Sequence, residues 1–326
     1  MTGPRTTGGK AVEPGVLSRG QGCLLGQLAG DSLGSLVEFW TPRMIRSRYP
    51  DGVRKLEDGG VWETIAGQPT DDSEMALSLA RMLAERGTYD PDAAHRAYQH
   101  WFSSGPFDYG ATTSAALAGG RPNPDSQANG AMMRISPLGI FGANRDLDQV
   151  AEWARQDCRL THPHTVCQQA NALFVMAIAS AVANQPKPPD LYRRIVEWAK
   201  EMKAEESLMN TIRKAEDKPP ADYCQSQGWV LIAFQNALWQ LIHASGLEEA
   251  VVDTVMQGGD TDTNAAICGA LMGAVHGREA VPEQWVDALI NCRPTAGQPN
   301  VRHPRPECFW PTDALDLAER LVSAGR

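Results

Sequence analysis

Between residues 18 and 39 glycine recurs at every fourth position, as Gly22, Gly26, Gly30 and Gly34. In a helix those four share one face. Each costs a helix interior roughly 1 kcal/mol against alanine, so four of them need a return. The return available is close approach of a second helix backbone. A matching stripe stands far downstream: Ala265, Gly269, Gly273 and Gly277. The two segments are expected to be helices that cross backbone to backbone, with the rest of the chain built around the crossing. Glu38 continues the first series and is expected to project from the end of the glycine face.

Directly ahead of the second stripe runs Gly258-Gly259-Asp260-Thr261-Asp262-Thr263-Asn264. Ionised carboxylates two residues apart repel, so a loop that keeps both needs a cation or strong donors between them. A helix cap needs one such residue (Thr261, Asp262 or Thr263), not the series. The stretch therefore reads as a metal-binding loop that opens into a helix, with Thr263 free to cap. Thr70-Asp71-Asp72-Ser73-Glu74 repeats the composition ahead of an apolar helix over 75–85. Asp71 with Glu74 three later also satisfies a capping box. Hard cations nonetheless take such oxygens, and two carboxylate loops can hold two ions. Gly30-Asp31-Ser32-Leu33-Gly34 matches the nucleophile elbow G-x-S-x-G, but an elbow needs a strand before it, and these residues continue the helical glycine period.

Residues 41–69 read as loop. Further helices are expected over 92–103, 147–154, 166–183, 191–204, 205–216, 227–241, 247–256, 285–290 and 313–324, with a short one between 106 and 121. Trp229, Phe234 and Trp239 read as core. Asn129-Gly130, beside small residues, lets a ligand approach backbone amides or forms an ordinary turn. His162 and His164 flank Pro163, and His164 is expected to be a surface or capping group. No strand ladder and no G-x-x-x-x-G-K is found. The fold class expected is all-α, one compact helical domain over 16–326. Residues 1–15 are polar, lack an apolar signal segment, and are expected to form a disordered lead-in.

Net charge is −9 with no basic run, which argues against nucleic acid. The seven cysteines are odd in number, scattered and free of C-x-x-C, as expected of reduced thiols in a cytoplasmic protein. The longest apolar run, 172–183, is too short to span a bilayer, so no membrane partner is expected. A monomer is the expected state.

Gly30 to Gly34 with Glu38, Thr70 to Ser73, Asn129 to Arg134, Thr161 to His164, and Gly258 to Thr263 stand in an order that resembles the ADP-ribosylglycohydrolase family. The dinitrogenase reductase-activating glycohydrolases belong to that family. The likeness runs from about residue 20 to 285. It implies an all-α domain with two Mg2+ or Mn2+ ions at its centre. It also implies an activity that removes ADP-ribose from ADP-ribosylated protein side chains, commonly arginine, with ADP-ribose as product. By position it implies metal ligation by Thr70, Asp71, Asp72, Asp260, Asp262 and Thr263, with Asp262 bridging and Glu38 close to one ion. Glu38, Asp71, Asp262 and Asp125 are the implied catalytic group, Asp125 being the local acidic candidate near the Asn-Gly loop. Asn129, Gly130, Ala131, Met132 and His162 are the implied ADP-ribose contacts. Ser73 stands where many relatives have Thr, and Ala128 where they have Gly. Alternatives from other classes are hydrolysis of O-linked (serine) ADP-ribose, cleavage of the phosphoanhydride of ADP-ribose, and a catalytically inactive ADP-ribose-binding relative.

Overall fold

The computed structural model describes residues 12–324. Five helices form the N-terminal part: α1 (Pro14–Gly34), α2 (Pro42–Arg48), α3 (Asp71–Arg86), α4 (Pro91–Ser103) and α5 (Ala111–Gly119). A middle group follows, with α6 (Ser136–Phe141), α7 (Leu147–Arg159), α8 (Thr165–Asn184), α9 (Pro188–Glu201) and α10 (Glu206–Asp217). The last group is α11 (Val230–His243), α12 (Leu247–Met256), α13 (Thr261–His276), α14 (Glu283–Asn291) and α15 (Ala314–Ala324). Among the described residues β pairing is confined to two isolated bridges, Gly59 with Thr64 and Ala128 with Trp229. The all-α expectation holds.

At the centre α1 and α13 run antiparallel, both buried along nearly their whole length. Their glycine stripes interlock residue by residue. A Cβ on Gly22 would lie 2.5 Å from the Gly273 carbonyl oxygen. One on Gly26 would meet the Gly269 carbonyl, one on Gly269 the Gly26 carbonyl, and one on Gly30 the Ala265 carbonyl, each well inside contact distance. Every obstacle is backbone, so no rotamer change relieves it.

Helix α1 stops earlier than the expected residue 39. Gly34 abuts the backbone of Asp262, and the chain turns, with Val37 N–H on the Gly34 carbonyl at 3.0 Å. Phe39 N–H then donates to the Gly259 carbonyl at 2.7 Å, and Gly259 N–H to the Trp40 carbonyl at 3.0 Å. These bonds pull the chain out of the helix. Glu38 therefore sits in a turn beside the 258–262 loop and not on the glycine face. Gly258 and Gly259 take φ of 73° and 77°, and a Cβ on either would strike the backbone of Trp40 or Tyr223; the adjacent glycines are required there.

Trp40, Thr41 and Pro42, expected to end the first helix, lie beyond its end at Gly34; Thr41 and Pro42 instead start α2, Thr41 accepting Met44 N–H. Helix α3 begins four residues before the expected position, at Asp71. Of the three aromatics read as core, Phe234 is buried, Trp229 is 39% exposed and donates to Gln127, and Trp239 lies half-buried against His243. Pro14 and Gly15 belong to α1, where the Glu13 carboxylate caps Gly15 and Val16 N–H; the expected lead-in over residues 1–11 lies outside the described residues. By length and composition α8 could cross a membrane, with mean hydropathy 1.5, but 83% of that window is buried inside the protein, as in a core helix.

Gly26→Ala is expected to cost about 3 kcal/mol, at the upper end for overpacking. Gly119→Ala, where an added Cβ meets nothing within 4 Å, should be neutral or stabilising by up to about 1 kcal/mol. Denaturant unfolding of the two variants measures the contrast.

Candidate functional site

Two helices begin at this site without side-chain caps. The cap positions are Thr70 for α3 and Asp260 for α13, and neither side chain accepts a helix N–H. The capping readings thus give way to others. Thr263 lies inside the first turn of α13, and its N–H donates to Asp262 Oδ1 at 2.9 Å. Glu74, the would-be capping-box partner, is claimed by Arg305 (Nε to Oε1 2.7 Å, Nη2 to Oε2 2.8 Å) and by Trp101 Nε1 at 2.8 Å. Asp71, Asp72 and Asp262 are left in the first turns of two helices, whose partial positive ends favour negative charge.

Asp31, one turn before the end of α1, faces both. Its carboxylate accepts Thr70 Oγ1 at 2.8 Å, Thr70 N–H at 3.1 Å and Ser73 N–H at 3.2 Å. This ties Thr70 to Asp31 and fixes the start of α3 against α1. Ser32, the elbow serine, is interior to α1 and accepts Gly67 N–H at 3.1 Å.

Carboxylate oxygens of Asp31, Asp72 and Asp262 lie within 4.8 Å of one another, and so do those of Glu38, Asp108 and Asp262. Asp262 belongs to both groups. Asp72 Oδ1 is buried with no hydrogen-bond partner. An orphaned, buried carboxylate oxygen among all-oxygen donors is the environment hard divalent cations take, so the residues present fit metal. Asp31 and Asp108 were not singled out as site residues from sequence. Asp31 carried one signal, being the one acid ahead of Glu38 in the glycine-striped segment 18–39; Asp108 carried none.

Burial dominates the electrostatics and pushes every one of these acids upward. Asp31 rises to about 6, moderated by the Ser73 and Thr70 hydrogen bonds. Glu38 rises to about 8 through burial and then the charges of Asp108 and Asp260, against a hydrogen bond from Trp62 Nε1 at 2.6 Å. Asp108 rises to about 7, with Asp31 and Asp260 adding to burial. Asp71, Asp72 and Asp262 are raised strongly and Asp260 is raised, in each case by burial first.

A cavity of about 360 Å³ opens over these groups. Its lining includes Glu38, Asp71, Asp108, Asp260, Asp262 and Thr263 together with Thr113, Asn129, Gly130, Met133 and His162. Thr70 and Asp72 are fully buried and are not part of that lining. Asn129 Nδ2 donates to Asp260 Oδ2 at 2.6 Å and links the acids to the Asn-Gly turn. Ala131 and Met132 are fully buried behind the Asn-Gly turn, and Met133 takes the cavity position expected of them. Asp125 stays outside: it is exposed, in a turn where its N–H donates to Asn123 Oδ1. The acidic residue that reaches the cavity from this part of the chain is Asp108, on the loop before α5.

His162 is buried, and burial followed by the Arg134 charge lowers it to about 3, so the ring is neutral. Arg134 Nη1 donates to Thr161 Oγ1 at 2.9 Å, and that hydroxyl lies 2.8 Å from His162 Nδ1. With the threonine hydroxyl as donor to Nδ1, the ring keeps Nε2–H as its own donor. Arg134 is held in turn by Asp157 and the Tyr98 ring. His164 caps α8 by accepting Val166 N–H, as expected.

These shifts fix the sign of a pH effect. Acids raised in the folded state bind more protons folded than unfolded, so metal-free stability falls as pH rises from the ordinary carboxylate range toward about 8, the value for Glu38. Mg2+ or Mn2+ competes with those protons. Its stabilising effect should grow over the same window, read as Tm against pH in chelator and in metal. A metal-induced shift that shrinks with rising pH would contradict the assignment.

Residues 13–325 match the family described as ADP-ribosylglycohydrolase. The ADP-ribosyl-dinitrogen reductase glycohydrolase of Rhodospirillum rubrum is 30% identical, with 85% of this chain and 92% of that protein aligned. An ADP-ribosylarginine hydrolase of Pseudomonas putida is 27% identical over 84% of this chain and 74% of its own length. The ADP-ribosylhydrolase ARH3 of Homo sapiens is 25% identical over 82% and 88%. A solved structure, an ADP-ribosylglycohydrolase-related protein complex, superposes with a TM-score of 0.78 at 25% identity, covering 96% of this chain and all of that one. With the family match spanning residues 13–325, almost every described residue, the chain belongs to the ADP-ribosylglycohydrolase family.

Proposed function

We propose that this protein is a metal-dependent hydrolase that removes ADP-ribose from modified protein side chains by cleaving the N-glycosidic bond of ADP-ribosyl-arginine. The observation that carries the reading is Asp262, shared by two carboxylate groups at the floor of one cavity. The relatives named for ADP-ribosyl-dinitrogen reductase and for ADP-ribosylarginine support the substrate class. Asp71, Asp72, Asp260 and Asp262, with Asp31 behind them, would hold two Mg2+ or Mn2+ ions. Bound there, the ions supply positive charge that holds the ribose hydroxyls and orients the anomeric carbon.

Thr113 and His162, which meet beside Gly130, suit the diphosphate. Thr113 Oγ1 is buried without a partner, and the first intrahelical bond of α5 is Ser114 N–H to Gly110, so the three amides before it are unclaimed by the helix. His162 Nε2–H adds a neutral donor. Glu38, its carboxylate fixed by Trp62, acts as base. A water oxygen bonds to the anomeric carbon as the carbon–nitrogen bond breaks, Glu38 takes one water proton, and that proton passes to the departing guanidine nitrogen. Positive charge that builds on the ribose is stabilised by the surrounding carboxylates. All seven cysteines are free, and the reading extends to a reducing, cytoplasmic setting.

The test is product analysis with ADP-ribosyl-arginine and Mn2+ or Mg2+. Free ADP-ribose and arginine are expected. AMP with ribose phosphate would mean phosphoanhydride cleavage, and binding without turnover an inactive relative. Asp262→Asn should abolish turnover and weaken metal binding together; wild-type values for both would sink the assignment.

A further inference from the structure

Helices α14 and α15 are joined by residues 292–313, which hold one 3-10 turn, Glu307–Phe309, and no α-helix. Connections longer than about 15 residues without structure of their own are uncommon in compact domains and usually carry function. This one is fastened to two of the segments that bring acids to the cavity. Just ahead of Thr70, Gln68 Nε2 donates to the His303 carbonyl at 2.7 Å. In the first turn of α3, Arg305 holds both oxygens of Glu74. On the loop that carries Asp108, Arg305 Nη1 donates to the carbonyls of Ser104 and Gly105 at 3.2 and 3.1 Å, and Nη2 to Ser104 Oγ at 2.7 Å. The His303 ring stacks on Phe107 of the same loop, with centroids 4.5 Å apart.

Arg305 is the shared member. A guanidinium has five N–H groups, and these bonds use one from Nε, two from Nη1 and two from Nη2. Its backbone is pinned as well: the N–H donates to the Pro294 carbonyl at 2.9 Å, and its carbonyl accepts Trp310 Nε1 at 2.8 Å. Both Arg305 and Glu74 are buried, and neither lines the cavity. Desolvation cancels much of what a buried ion pair gains, so placement is the return this pair offers. The planar fork fixes the first turn of α3, which holds Asp71 and Asp72, against the end of α4, from which the chain runs on to Asp108.

We propose that Arg305 is a positioning residue for the metal site, and that with His303 it sets Asp108 against Asp71 and Asp72. It acts through Glu74 and the 104–107 backbone and touches neither metal nor substrate. The inference rests on the metal-dependent reading above.

The test is Mn2+ calorimetry and, on metal-free protein, hydrogen exchange at residues 104–110, in wild type, Arg305→Lys, His303→Ala and Ile195→Ala, all well below Tm. Lysine keeps a charge for Glu74 but presents its three N–H groups from one point, and cannot also hold residues 104 and 105. In Arg305→Lys the Mn2+ Kd should rise about 10-fold, the low end of the loss when groups supporting metal ligands are removed. Exchange at 104–110 should quicken in the same variant. Ile195→Ala, buried in α9 and outside the cavity lining, should lower Tm and change neither readout. Wild-type Kd and exchange in Arg305→Lys, or changes that Ile195→Ala reproduces, overturn the inference. His303→Ala leaves no buried charge unpaired and should show both changes more weakly; it decides the matter if Arg305→Lys does not fold. Wild type that binds Mn2+ but frees no ADP-ribose from the arginine conjugate overturns the proposed function alone, and Kd and exchange still decide this inference.

Discussion

The approach of α1 to α13 is the constraint on which the rest depends. With glycine at 22, 26 and 30 facing Gly273, Gly269 and Ala265, carbonyl oxygens occupy the space that side chains would take. The crossing admits one register, because a shift would drive a side chain into backbone. That register brings the C-terminal end of α1 to the N-terminal end of α13. Thr261 Oγ1 donates to the Gly34 carbonyl at 2.7 Å and closes the junction. Asp31 and Asp262, 231 positions apart in sequence, become neighbours through backbone packing alone.

The same junction explains the cost carried by the site. Seven acids crowd a region that water hardly reaches, and burial raises each of them. Helix N-termini of α3 and α13, left without side-chain caps, offset part of the repulsion through their dipoles. Hydrogen bonds to Asp31 and Glu38 offset more. What remains is an orphaned Asp72 oxygen and an arrangement that improves when cations enter. Stability without metal has been exchanged for a preorganised set of oxygen donors, a trade common at functional sites.

Much of this was legible in the chain. The two glycine stripes predicted the crossing because helical period places small residues on one face whatever surrounds them. Paired acids with hydroxyls at 70–73 and 260–263 marked the two halves of the site because that composition has no use in a core. Asp108 was not legible: it is one acid between two aromatics in a loop with no motif around it, and its place at the cavity depends on how that loop packs, with Phe107 stacked on His303. Asp125 failed as a candidate for the converse reason, since nearness in sequence to Asn129 gave it no path past an exposed turn. Ala131 and Met132 were misjudged because the Asn-Gly turn buries them and leaves Met133 at the wall.

By itself the sequence determined the helical class, the two helices that must touch, and the oxygen-rich segments at their ends, because each follows from local spacing and composition. The tertiary structure decided which acids meet. Capping and metal ligation use the same residue types, so the chain could not distinguish them. Glu74 is taken by Arg305 and Trp101, and Thr70 by Asp31; only that long-range competition leaves Asp71, Asp72 and Asp262 free for the site. Glu38 shows the same division. Its place in a four-residue series pointed toward the site, but the bonds between Phe39, Trp40 and Gly259 broke the helix and set it there.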